Sequence, residues 1–495
     1  MTSFNLSHQV KLSGNFGKLI PVGIFDVVPG DRINHRVNAL LRTQPLLAPV
    51  MHTCDVDMHF FFVPDRIIWE DAEDFHSGGD DGMDTTVAPT ISSPAVTGWT
   101  KSTLADYLGL ALGVPLQACS ALPFRAYAKI YNEFFRDSQL QSELVISMAS
   151  GVDTTTSTAL VSPCWKRDYF TKARPNPQLG PDVVVPLTGD APIMYNDTAI
   201  VGGAGITGKH VVANNTGAGT GRFEYGDTAG VTSGVVPNST EINMNADLTD
   251  VQAIDVRDLR ELSAIQTFLE RNNIWGGRYI EQVRARFGQI IPDFRLDRPE
   301  YLGGTGTKFQ FSEVLQTGGT SAGASTGVGS MMGHGIALQG SSRYKYRVPE
   351  HGWIIALMSV RPKTQYMQGQ HRMWNRTTKY DYLIPELERI GDQAILNKEL
   401  YAAHATPDGV FGYTPQYDEY RSIPSRVAGD FRDSLKYWHM AREFSSAPAL
   451  NSTFVTANPT NRIFTATSAD QMYITVEHDI LARRRLGPPR SGRLM

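Results

Sequence analysis

Alternation of apolar and polar positions is sharpest in Val50–Trp69, VMHTCDVDMHFFFVPDRIIW. Cys54, Val56, Met58, Phe60 and Phe62 share one parity, and Thr53, Asp55, Asp57 and His59 the other. A strand sends successive side chains to opposite faces, so this pattern predicts a half-buried antiparallel strand that Pro64 ends. Similar reasoning predicts strands near Leu19–Val28 and Arg32–Thr43, separated by the turn signal Pro29-Gly30-Asp31. Residues 1–25 read as an extended arm. The unbroken apolar run Trp353–Val360, closed by Pro362, predicts a strand buried on both faces. Gln471–Val476 alternates again.

Helical spacing marks Ser102–Leu112 and, more fully, Ala121–Gln139. There Phe124, Tyr127, Tyr131, Phe134 and Phe135 recur on one side and Pro123 suits the first turn. Such an aromatic stripe is able to stack bases, although packing on a sheet is the commoner use of it. Helices are also expected over Val256–Arg271, Tyr279–Phe287 and Pro385–His404. Loops are expected at Ser77–Thr100 and in two glycine-rich stretches. Residues 201–240 hold ten glycines and residues 301–340 eleven, so 21 of the chain's 45 glycines lie in these two windows. A compact core rarely contains a stretch as long and irregular as 201–240, which is therefore either an exposed insertion or a disordered one.

The chain has 495 residues, enough for several domains. Charged residues make up 19%, below the ~25% usual for soluble domains, as in a chain walled by neighbours or equally in a loop-rich one whose surface is Ser, Thr, Asn and Gly. A formal net charge of −4 excludes a wholesale cationic coat, so any nucleic-acid contact must be local. Cys54, Cys119 and Cys164 are too far apart for a metal or redox motif and read as free thiols in a reducing compartment. The start carries no signal-peptide pattern and no apolar run reaches membrane-spanning length.

Candidate chemistry is sparse. Gly203–Lys209 matches most of a phosphate loop, but His210 stands where Ser or Thr is needed and no helix pattern follows. His334 and His351 are isolated, and Asp80-Asp81 sits in a loop without a visible partner. No nucleophile–base pair and no metal-ligand spacing emerges, so no enzyme, cofactor or metal is expected. Arg483, Arg484, Arg485, Arg490 and Arg493 form an acid-free basic tail over 483–495 that prolines 488 and 489 keep extended. By itself such a tail reads equally as a phosphate contact, a solvated tail or a partner for acids on a neighbouring chain.

A series of segments running through the chain resembles one family. They are Val28-Pro29-Gly30-Asp31; Phe61-Phe62-Val63-Pro64-Asp65-Arg66 with Trp69; Leu122-Pro123-Phe124-Arg125-Ala126-Tyr127 with Phe135-Arg136-Asp137; and Arg167-Asp168-Tyr169-Phe170-Thr171 with Ala173-Arg174-Pro175. Asp258-Leu259-Arg260, Glu270-Arg271, Gly276-Gly277-Arg278-Tyr279, Arg298-Pro299-Glu300-Tyr301-Leu302-Gly303-Gly304 and Val314-Leu315-Gln316-Thr317 follow, and then Glu350-His351-Gly352, Phe411-Gly412-Tyr413 and Tyr420-Arg421. In order and spacing these are similar to the major capsid proteins of the Microviridae, single-stranded DNA phages, in their gokushovirus-like branch. Residues 189–245 find no counterpart, and the end lacks the Pro-Gly-Leu close of that family.

The resemblance implies a mainly β fold, the viral eight-stranded antiparallel jelly roll with long loop insertions and several helices, as a single domain over 1–495. It implies a structural, non-catalytic subunit, sixty copies of which enclose a circular single-stranded DNA genome. The copies would assemble in the bacterial cytoplasm into the virion. Residues 189–245 become a surface insertion and 301–340 a second glycine-rich loop region. Implied partners are other copies of the chain, the genome, a small basic DNA-binding protein, an internal scaffolding protein, a pilot or minor spike protein, and a host surface receptor that includes glycan in one form. The competing classes are a jelly-roll carbohydrate-binding protein and a sandwich-fold glycoside hydrolase, the latter needing two facing carboxylates.

Overall fold

The structure is a computed structural model. It describes residues 2–80, 83–181, 183, 256–276, 278–315 and 331–487, together with the backbone of five short strands between 193 and 246. Two compact units result: residues 1–177 with 273–495, and residues 178–272.

In the first unit the strands are β1 (Thr2–Asn5), β2 (His8–Gly14), β3 (Leu19–Val27), β4 (Arg32–Thr43), β5 (Cys54–Pro64), β6 (Glu300–Lys308), β7 (Gln310–Leu315), β8 (Met331–Arg347), β9 (Gly352–Pro362) and β10 (Met472–Arg484). One sheet runs β1-β10-β4-β8-β7 with β2 also on β10, and the other runs β6-β5-β9-β3. Every pairing within them is antiparallel. Among the described residues these two sheets hold ten strands, because the expected N-terminal arm is itself strand. β1 and β2 line up end to end along β10, and Thr2 pairs with Arg484 at the far end.

The sheets face each other across one apolar layer. β5 contributes Cys54, Val56, Met58, Phe60 and Phe62, β9 contributes Ile354, Ala356 and Met358, and the opposite sheet contributes Ile33, Val37, Leu41, Ile474, Val476 and Ile480. The parity read from the sequence therefore holds. The other face of β5 is only partly wet: Phe61 and Val63 lie under a second cluster with Trp69, Phe124, Tyr127 and Ile130. That cluster is carried by the helix Leu122–Ile130, which continues as a wider-pitched turn over Tyr131–Phe135. The Tyr127 hydroxyl donates to the Leu19 carbonyl at 2.8 Å. The aromatic stripe is thus committed to packing and is not free to stack bases.

Two expectations fail. Residues 301–340 are not a loop region where the structure describes them, since β6, β7 and much of β8 occupy them. Two of their glycines serve close approach: a Cβ at Gly333 would collide with the Ala48 carbonyl oxygen and one at Gly304 with that of Met58. Residues 385–404 are not one helix but a turn at Pro385–Leu387, a strand Asp392–Leu396 and a short helix Asn397–Leu400. Gly391, at φ 122°, takes a conformation that no helix contains.

In the second unit, strands Ile193–Tyr195, Lys209–Asn214, Arg222–Gly226, Gly234–Val235 and Met244–Ala246 form a small antiparallel sheet. The expected insertion 189–245 falls inside this unit. Of the predicted helices, that over Val256–Arg271 runs Val256–Trp275, and Tyr279–Phe287, in the first unit, is helical as expected.

Candidate nucleic-acid interface

β4 buries its odd residues and turns Arg32, Asn34, Arg36, Asn38, Leu40 and Arg42 outward. β10 runs beside it and turns out Glu477, Asp479, Leu481 and Arg483. On the other side β8 has a bulge between Gln339 and Ser342, beyond which Arg343, Lys345 and Arg347 face outward. The registers then fix three rows across the strands. Arg347, Arg32 and Arg483 lie side by side; Lys345, Asn34 and Leu481 come next; Arg343, Arg36 and Asp479 follow.

Neighbouring strands are about 4.8 Å apart, so the first row sets three guanidinium-bearing residues within roughly 10 Å of backbone. Like charges directly opposite each other cost sheet stability. Arg343 leans on Asn34, its Nε donating to Oδ1 at 2.9 Å. Among the described residues, Arg32, Lys345, Arg347 and Arg483 have no acidic partner. With Ile33 and Tyr346 these side chains line a shallow groove of about 580 Å3. The Tyr346 hydroxyl donates to the Glu300 carboxylate at 2.9 Å, and burial pushes its pKa up. Unpaired cations on a flat strand face present phosphate-binding donors without base-edge readout.

The tail arginines divide. Arg483 joins the row just described. Arg484 is held: its Nε pairs with Asp31 at 2.8 Å and its terminal nitrogen donates to the Asp26 carbonyl at 3.0 Å. Asp31 is buried, so this pair pins the end of β10 to the turn between β3 and β4. Arg485 is exposed, and Arg490 and Arg493 lie outside the described residues. Sequence reasoning missed Arg32, Arg343, Lys345 and Arg347. A signal was present, since Arg343-x-Lys345-x-Arg347 puts three cations on one face of a strand.

The remaining motifs resolve quietly. The phosphate-loop match at 203–208 lies outside the described residues, and Lys209 opens a strand, not a helix. His334 contacts the Ser312 hydroxyl, and the His351 ring stacks on His76 at 3.9 Å. Asp81 lies outside the described residues. No group of three potential metal ligands occurs among the described residues. The three cysteines are free, with Cys54 buried beside the Met440 sulfur.

Two facing antiparallel sheets, with helices and long insertions between their strands, put the chain in the mainly β, jelly-roll-like class of proteins. Comparison with known proteins makes that specific. Residues 1–490 match the family described as capsid protein (F protein), and the chain belongs to that family. It is 34% identical to capsid protein VP1 of Bdellovibrio phage phiMH2K, over 95% of this chain and 90% of that protein. Capsid protein VP1 of Chlamydia phage 1 is 29% identical over 92% of this chain and 89% of its own. Capsid protein VP1 of Spiroplasma virus 4 is 30% identical over 91% and 86%. The chain is a structural capsid protein of a Microviridae-like phage, a component of the virion that builds a shell from copies of itself, and not an enzyme.

Proposed function

We propose that sixty copies of this chain close a small icosahedral shell around a circular single-stranded DNA genome. In this reading, the sheet face bearing Arg347, Arg32 and Arg483 contacts DNA phosphates. The observation that carries the DNA contact is the row of three arginines with no acid to neutralise them. A polyphosphate strand lowers the repulsion within such a row and releases its own counterions. In the same reading Arg485, Arg490 and Arg493 of the basic tail also contact phosphates. Assembly in the bacterial cytoplasm agrees with three unpaired cysteines. The small basic protein, internal scaffold and pilot or minor spike protein remain its expected partners, and residues 189–245 its expected outer decoration and receptor contact.

Arg32→Ala, Arg347→Ala and Arg483→Ala combined should weaken single-stranded DNA binding. They should also lower the slope of log affinity against log salt by about 2, at about 0.7 per contact. Fluorescence anisotropy with labelled oligonucleotides over a salt series measures both. An unchanged slope would remove this face from the genome contact. Arg484→Ala is unsuitable for the purpose, because it breaks the pair with Asp31.

A further inference from the structure

A second surface of the first unit is apolar rather than cationic. Between residues 371 and 423 the chain exposes Trp374, Tyr380, Tyr382, Leu383, Tyr420 and Ile423, with Trp374 67% and Ile423 82% exposed. Scattered exposed apolar residues are ordinary, but Tyr382, Leu383 and Tyr420 are tied together, and Trp374 stands two residues before Arg376 and Ile423 three after Tyr420. The Arg376 guanidinium lies 4.4 Å from the Tyr420 ring centre and 5.3 Å from that of Tyr382. The Leu383 amide donates to the Tyr420 hydroxyl at 3.3 Å. Glu388 and Arg421 pair at 3.0 Å across the same junction.

The surface is also stiff. Arg376 is anchored to buried Glu419 at 3.3 Å, and Asp381 accepts the Thr377 and Thr378 amides at 2.9 and 2.7 Å. Pre-organised aromatic side chains lose little entropy when covered. Aromatic residues, Met and Arg are the types enriched at protein interfaces, and a contiguous patch of several hundred Å2 marks a contact site on a soluble chain. Six half-exposed large side chains amount to roughly 600 Å2, near the ~800 Å2 per partner of a standard interface. Residues 371–423 hold six Lys and Arg against eight Asp and Glu, so nucleic acid is not the occupant.

We infer that the Trp374–Tyr382–Ile423 surface is an inter-subunit contact, covered in the particle by a second copy of this chain. The inference rests on the shell reading, in which the neighbour of any subunit is another copy. A shell closes through several such contacts, each modest, and breaking one symmetry-repeated contact breaks it everywhere at once.

The test compares the wild-type chain with Trp374→Glu/Ile423→Glu and with the milder Leu383→Ser/Ile423→Ser. Self-association is followed by sedimentation velocity over a concentration series, and folding by thermal melting. Both variants should melt as the wild type does, and the glutamate pair should associate about a hundredfold more weakly or not at all. The serine pair should fall between. Variants that associate like the wild type overturn the inference and leave the shell reading standing. So does a lowered melting point with association unchanged, which would mean that the chain's own residues cover the surface. A wild-type chain that stays monomeric at every concentration sinks the shell reading itself, and this inference with it.

Discussion

Replacing Asp153 with alanine should destabilise the subunit by about 3–5 kcal/mol, a large share of the ~5–15 kcal/mol by which domains are usually stable. Asp153 and Arg125 form an ion pair at 2.9 Å with both side chains fully buried. Arg125 sits on the helix Leu122–Ile130 and donates as well to the carbonyls of Ile68, at 3.1 Å, and Ala149, at 2.8 Å. Its three nitrogens are thereby spread over three segments: the turn after β5, the irregular run near 149 and the loop at 153. Burial alone would raise the Asp153 pKa, but hydrogen bonds from Thr156 and Arg125 outweigh it and hold the carboxyl below its usual range. The alanine variant leaves a guanidinium enclosed without its counter-charge, which costs far more than the pair itself contributes. Adding Arg125→Met removes that orphan charge, and the double variant should recover part of the loss. Denaturant titration of the soluble subunit gives the comparison. A single variant within about 1 kcal/mol of wild type would show that Arg125 is solvated by some other route.

The same residues mark how far the chain could be read without its structure. Arg125 was visible only as a cation on the helix that carries the aromatic stripe, and nothing local indicates that its partner stands 28 residues on. By contrast the sandwich core was legible, because burial between two sheets imposes a strict two-residue period on Cys54–Phe62 and Met472–Val476. Glycine was the misleading letter. In 301–340 it allows strands to lie close to neighbouring backbone, whereas at Gly391 it ends what spacing alone presented as a helix. The basic tail was legible as a run, yet a run in sequence is not a site. Strand register takes Arg483 to Arg32 and Arg347 and gives Arg484 to Asp31. Such pairings join positions 315 to 453 residues apart, and no single-sequence period encodes them.

Acid should open the sandwich at its centre. His35 on β4 accepts at Nδ1 from the Tyr344 hydroxyl at 2.8 Å, while its Nε2 lies 3.0 Å from His478 Nδ1. His478 Nε2 in turn donates to the Val22 carbonyl at 2.9 Å, so this relay ties β8, β4 and β10 of one sheet to β3 of the other. Gly23 makes room for it, since a Cβ there would meet the His478 ring at 2.5 Å. With both rings neutral every ring nitrogen is used once, and an added proton has nowhere to go. Burial, with the charge of His478 adding to it, lowers the His35 pKa from 6.5 to about 3. Burial lowers His478 to about 4. The unfolded chain therefore binds more protons than the folded one below pH 6.5. The stability from this relay is complete above that value and drains away as pH falls toward 4 and then 3. At about 1.4 kcal/mol per pKa unit the two shifts together correspond to at most roughly 8 kcal/mol. Asp65, raised by burial to about 6, works in the opposite direction over part of the range and trims the effect. Denaturant midpoints taken from pH 7.5 to 4 should fall steeply in the wild type and much less in His35→Gln/His478→Gln, whose amides do not titrate. Because β1 and β2 are held by the same β10, particles should shed their N-terminal arms over the same interval, read as protease sensitivity near residues 5–8. A wild-type midpoint that stays level down to pH 4.5 would mean the relay takes up protons without cost, and the neutral hydrogen-bond assignment would have to be abandoned.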